Sequence, residues 1–232
     1  MKKKEKCFLC GSTEDLTRDH IPPKCMFPRP LPNNLITVPC CRRCNESFKL
    51  DDEVFMIFMS SHHAISDGGF WIWKNKAVDS FRRSPKLAAN VLKSIVNLPV
   101  QENQVLSTRP VITFDENRVQ RVLIRITKGL LFHYYPDAPT KGLHFEVVDF
   151  EPTQELVDGF YQNMVYDERG RGVFRFWRVL FPEDPRTGHW VFVFFDGAAF
   201  LVSHEPEERE VKIRENPSFI SLTSDVLIKN QF

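Results

Sequence analysis

The spacing of apolar positions changes several times along this chain of 232 residues. Leu16-Thr17-Arg18 and Leu35-Ile36-Thr37-Val38 are short, β-rich runs and read as two strands. Between them, Pro22, Pro23, Pro28, Pro30 and Pro32 keep residues 22–32 extended and irregular, because proline continues neither a ladder nor a helix. Pro39 is expected to end the second strand. After Cys44, apolar residues at 48, 50, 54, 55 and 58 approximate a 3.6-residue period, which predicts one or two helices to about residue 66. Asp67-Gly68-Gly69 reads as a break. Helices are expected over 70–82 and 85–97, the second with Pro85 in its first turn.

Residues 109–114 fit a strand. Asp115 can cap a helix over about 116–135, where Val119, Leu123, Ile126, Leu130 and Leu131 share a face. From His144 the period moves toward two. A short helix fits 153–164, and strands fit 173–181 and 189–203, with Asp196-Gly197 as a hairpin turn. The fold class expected is α+β, helical to about residue 135 and mostly strands after about 143.

Hydrophobic residues make up 42% of the chain and include 21 Phe, enough for a sizeable core. The net charge of +1 excludes a general argument for nucleic-acid binding from charge alone. Its distribution changes that picture: residues 1–50 carry ten Lys/Arg against five Asp/Glu, and the other 182 carry 21 against 25. A polyanion would dock on the basic segment. No apolar run approaches the roughly 18–20 residues that span a bilayer. The opening MKKKEK is basic but lacks a signal-peptide core, so no membrane partner and a cytoplasmic location are expected. In that compartment paired cysteines read as metal ligands before disulfides.

All six cysteines lie between residues 7 and 44. Cys7-x-x-Cys10 and Cys41-x-x-Cys44 have the spacing of two zinc knuckles, and Gly11 permits the tight turn after the first. The 30 residues between the pairs exceed the usual roughly 15–20 of a zinc ribbon. The four thiolates meet only if the chain between them doubles back as a hairpin. Cys40 could replace Cys41, but Cys41 keeps the knuckle spacing. Cys25 reads as a buried or loop thiol. A closed four-sulfur site leaves no position for substrate, so Zn²⁺ here is expected to hold the fold.

Three further elements stand in order around these cysteines: Asp19-His20-Ile21-Pro22, Asn34-Leu35, and Asn45 directly after Cys44. With them, residues 7–55 or so resemble the HNH endonucleases. In that family a D-H-I-x-P element lies on the first strand of a ββα-metal core, an N-L step opens the second, and C-x-x-C-N leads into the helix. The resemblance implies a zinc-stapled nuclease module over residues 1–60, followed by an α+β region, 61–232, of unassigned role. It implies His20 as general base, and Asp19 and Asn45 as hard oxygen ligands for Mg²⁺ or Mn²⁺. Many relatives carry histidine where this chain has Asn45. Asn34 would orient the His20 ring or brace its loop. Lys49 stands one position later than the family's commonest basic residue on that helix. Lys24, Arg29, Arg42, Arg43 and Lys49 are candidate phosphate contacts. The partner implied is DNA, with RNA also open, and the products are 5′-phosphate and 3′-hydroxyl ends. Two rivals stand beside this reading. One is a non-catalytic zinc-binding module that docks nucleic acid. The other is an interaction protein whose later region does the work.

Overall fold

A computed structural model describes residues 5–62, 65–102, 105–136, 138, 140–151, 153–181 and 184–208. The fold is α+β. Strands β1 (Leu16–Ile21) and β2 (Ile36–Cys41) form an antiparallel ribbon that pairs Asp19 with Val38 and His20 with Thr37. Pro39 lies inside β2, opposite Arg18, and does not end it. A two-stranded ribbon is all edge, and an edge strand tolerates a missing N–H. The Pro39 carbonyl instead takes the Phe8 N–H at 3.0 Å, which draws the first knuckle onto the second strand.

Helices α1 (Arg42–Glu46) and α2 (Lys49–Ser60) follow. The expected break at Asp67-Gly68-Gly69 is instead the first turn of α3 (Asp67–Ile72), capped by the Ser66 hydroxyl, which accepts from the Gly69 N–H. Glycine is required there by contact: a β-carbon on Gly69 would stand 2.8 Å from Phe195 Cβ. A π-helical turn over Trp73–Ala77 joins α3 to α4 (Val78–Arg83). The helix expected over 85–97 stops early. It is α5 (Pro85–Lys93), and Ile95 already belongs to β3 (Ile95–Glu102), which pairs with β4 (Val105–Ile112). The β-branched pair Ile95-Val96 follows Ser94, and strand pairing prevails over the helical period there.

Helix α6 (Glu116–Tyr134) starts at Asp115, whose carboxylate accepts from the Asn117 N–H. Next come β5 (Leu143–Phe150), α7 (Gln154–Asn163), β6 (Val165–Arg169), β7 (Phe174–Phe181), β8 (Asp184–Phe194) and β9 (Ala198–Pro206). They build an antiparallel sheet in the order β5-β9-β8-β7-β6. Strand β6 was not expected from the sequence, since VYDER is short and half polar. The β8–β9 hairpin turns where Asp196-Gly197 predicts it. The residues with positive φ, however, are Phe195 (52°) and Asp196 (61°).

Side chains along β7 to β9 alternate between two faces. Phe174, Phe176, Phe192, Phe194 and Val202 join the main core, while Trp177, Val191, Val193 and Ala199 pack with Val157 and Phe160 of α7. Helix α6 touches α2, both strands of the N-terminal ribbon, β5 and β9. It is thus the layer between ribbon and sheet. The main buried cluster runs from Cys7 to Val202. Among the described residues no helix is long and apolar enough to cross a membrane.

Candidate metal centre and adjoining cleft

The ribbon folds the chain back so that Cys7, Cys10, Cys41 and Cys44 meet, with their sulfurs all within 4.8 Å of one another. Two backbone bonds shape the first knuckle: Cys7 N–H to Ser12 O at 2.7 Å and Gly11 N–H to Cys7 O at 2.8 Å, with Gly11 at φ +81°. Four sulfurs about 2.3 Å from a tetrahedral zinc stand about 3.8 Å apart. The Cys10–Cys41 separation is 3.7 Å, so the set fits one ion. The group contains Cys41 and not Cys40, whose sulfur is buried 4.0 Å from that of Cys7. Burial opposes ionisation of Cys7. N–H groups of Cys10, Cys41 and Leu9 outweigh it and bring the thiol down to about 6, which favours the thiolate an ion needs. Cys25 is a different thiol: burial pushes it up to about 12, and it donates to the Asp52 carbonyl.

Beside the cysteines opens a cleft of about 660 Å³. One wall is β1, through Thr17, Arg18, Asp19 and His20; consecutive residues contribute because the cleft follows the strand's edge. A second is the loop with Lys24, Cys25 and Arg29, and a third comes from Arg42, Asn45, Lys49 and Asp52 of α1 and α2. The π-helical turn and α4 close it with Asn75, Lys76, Asp79 and Arg83.

Asp19, His20 and Asn45 therefore line one cavity. Asn45 donates its amide N–H to Thr17 Oγ1 (3.0 Å), and that hydroxyl donates to the Cys40 carbonyl (2.8 Å). The amide is held by its nitrogen, which leaves the oxygen as the end suited to a hard cation. Asp19 is only 5% exposed, and its Oδ2 has no hydrogen-bond partner among the described residues. Burial raises the Asp19 carboxyl, against the lowering effect of Arg125. An orphaned buried carboxylate oxygen is what a cation or bound water would satisfy. Burial, and secondarily Lys24, pushes His20 below the ordinary histidine value, so its neutral, proton-accepting form prevails at neutral pH.

Lys24, Arg29, Arg42 and Lys49 also line the cleft, and Arg43 is exposed outside that lining. Asn34 is not among the residues that line the cleft with His20: its amide donates 3.1 Å to the Glu168 carbonyl, tying the second strand's entry to β6. Lys49 and Arg83 face rim acids, Glu46 at 3.4 Å and Glu53 at 3.5 Å. Such exposed pairs are weak and exchange readily for phosphate.

Several cleft residues escaped the sequence reading. Lys76 ties the proline-rich loop by donating to the carbonyls of Cys25 (3.0 Å) and Phe27 (2.6 Å). Asp52 is held at 2.6 Å by Nη2 of Arg125, a fully buried α6 residue whose guanidinium lies 4.4 Å from the Phe48 ring centroid. The same guanidinium stands 3.8 Å from Asp19. Burial pushes the Asp52 carboxyl up to about 7 in spite of Arg125. A signal for Arg125 did exist, since it falls among the apolar positions of α6 between Leu123 and Ile126.

Comparison of the chain with protein-family models, with curated proteins and with solved structures returns no match.

Proposed function

We propose that this protein is a metal-dependent endonuclease of the HNH kind, acting on phosphodiester bonds of DNA. The observation that carries the reading is the shared cleft. Asp19, His20 and Asn45 line one cavity with Lys24, Arg29 and Arg42, directly beside the four-cysteine cluster. A zinc ion bound by Cys7, Cys10, Cys41 and Cys44 would fasten both ends of the ribbon and take no part in chemistry.

The neutral imidazole of His20 takes a proton from water. The water oxygen then attacks phosphorus, and the bond to the departing 3′-oxygen breaks, leaving a 5′-phosphate and, after protonation, a 3′-hydroxyl. Asp19 and Asn45 would hold the Mg²⁺ or Mn²⁺ ion, which when bound supplies Lewis acidity toward the phosphate. The orphaned Asp19 oxygen and the nitrogen-anchored Asn45 amide fit that role. Lys24, Arg29 and Arg42 would position the backbone.

The test is nicking of supercoiled plasmid in Mg²⁺ or Mn²⁺ by wild type and by His20→Ala. Cleavage by wild type alone supports the reading. Equal cleavage by both removes His20 as the base. Inertness of both, with salt-sensitive DNA binding retained, would establish the non-catalytic binding module instead.

A further inference from the structure

Between Asp19 and Asp52 sits one guanidinium. Arg125 is fully buried, bonds Asp52 Oδ1 at 2.6 Å, and stands 3.8 Å from Asp19 Oδ2, beyond hydrogen-bond range. One cation thus has two carboxylates within ion-pair reach and hydrogen-bonds one of them, Asp52. Among the described residues its Nε and Nη1 have no hydrogen-bond partner, and neither has Asp19 Oδ2. Nε and Asp19 Oδ2 stand 3.8 Å apart, while Asp52 bonds the guanidinium at 2.6 Å and the Phe48 ring centroid lies 4.4 Å from it.

We infer that Asp52 is a positioning residue that keeps Arg125 off Asp19, so that the Asp19 carboxylate stays available to the divalent cation. This rests on the reading of Asp19 as a cation ligand. The physical reason is charge. With both carboxylates ionised, Asp19, Arg125 and Asp52 together carry −1, which attracts a divalent ion. Without the Asp52 charge the group is neutral, and the guanidinium is free to close from 3.8 Å to direct hydrogen-bond contact with Asp19. That pair would occupy the oxygen the cation needs. Because Arg125 belongs to α6, the arrangement also gives the region after residue 60 a part in the site: it supplies the counter-charge under the cleft floor.

The experiment is Mn²⁺ binding to the full-length, zinc-loaded chain, followed by electron paramagnetic resonance of free Mn²⁺, alongside plasmid nicking as a function of Mn²⁺. Asp52→Asn is expected to weaken Mn²⁺ binding by about tenfold or more, as loss of a unit charge at this range should. Asp52→Asn combined with Arg125→Met restores the −1 balance and is expected to return affinity to within about threefold of wild type. Asp51→Asn serves as the matched control. That neighbouring buried carboxylate faces Arg118 (3.5 Å) and Arg121 (3.1 Å), and its loss should leave Mn²⁺ binding unchanged. A purely structural role for Asp52 predicts no rescue by the second substitution. Unchanged affinity in Asp52→Asn, or a double variant as weak as the single one, overturns the inference while the nuclease reading stands. Mn²⁺ binding that does not depend on Asp19, judged by Asp19→Asn, overturns the cation assignment and this inference together. Zinc content and thermal melting of each variant separate these outcomes from misfolding.

Discussion

Gly129 of α6 lies flat against Ile21 of β1: a β-carbon placed on the glycine would come within 2.5 Å of Ile21 Cδ1 and 2.6 Å of Cγ1. Ile21 is fully buried and directly follows His20. The contact sets how closely α6 approaches the strand that carries the site, and it leaves Arg125, one turn earlier on the same helix, under the cleft.

Gly129→Ala is therefore expected to destabilise. Alanine gains up to about 1 kcal/mol in a helix interior. Overpacking a dense core costs about 1–3 kcal/mol, and Ile21, the side chain that would have to shift, is fully buried. The net effect is a lower melting temperature, measured by circular dichroism. A variant as stable as wild type would show that ribbon and helix can separate at little cost.

The four-sulfur site predicts about one zinc per chain by elemental analysis. Cys7→Ser or Cys44→Ser should lose it and release the ribbon, because a structural zinc and local folding are one equilibrium. Cys40→Ala should keep it, since Cys40 lies outside the group of four. Zinc loss in Cys40→Ala with retention in a Cys41→Ser variant would reverse the assignment.

For His20→Ala, the expected result is loss of nicking by about 10²–10⁴-fold, the usual scale of a positioned general base. Zinc content should not change, because His20 is not among the clustered ligands. An equal loss in Asn34→Ala would mean the Asn34–Glu168 bond matters to the site as well as to the fold.

Acid sensitivity should trace in part to His204, far from the cleft. Burial pushes this imidazole down to about 4, and its ring stacks on Phe145 with centroids 6.0 Å apart. The unfolded chain protonates it near pH 6.5, so between about 6.5 and 4 the unfolded state binds the extra proton. The stabilising contribution is full above about pH 6.5 and fades as pH falls toward 4, by about 3 kcal/mol in all. His204→Phe should flatten that limb of a stability–pH curve measured by urea unfolding. An unchanged limb would place the acid sensitivity elsewhere.

Sequence alone reached the features that depend on spacing. Two C-x-x-C pairs pointed to the thiols that could meet one ion, because a knuckle needs two ligands on one tight turn, and the structure chose Cys41 over Cys40. The stripe at Val119, Leu123, Ile126 and Leu130 fixed α6, and the alternation after His144 marked strands. Residues 95–97 read as the end of a helix because Ile95-Val96 continues a helical period, and only pairing with β4 decided otherwise. The first turn of α3 was misread because Gly69 answers to Phe195, 126 residues later.

Tertiary structure alone decided the composition of the cleft. The sequence named Asp19, His20 and Asn45. It could not say that Lys76 would lock the proline-rich loop, that Asn34 would reach β6, or that Arg125 would come to rest between two aspartates. Those placements join residues 49 to 134 positions apart in the chain. Periodicity records which face of an element is buried. It carries no information about which other element will cover that face, and that choice is made by packing.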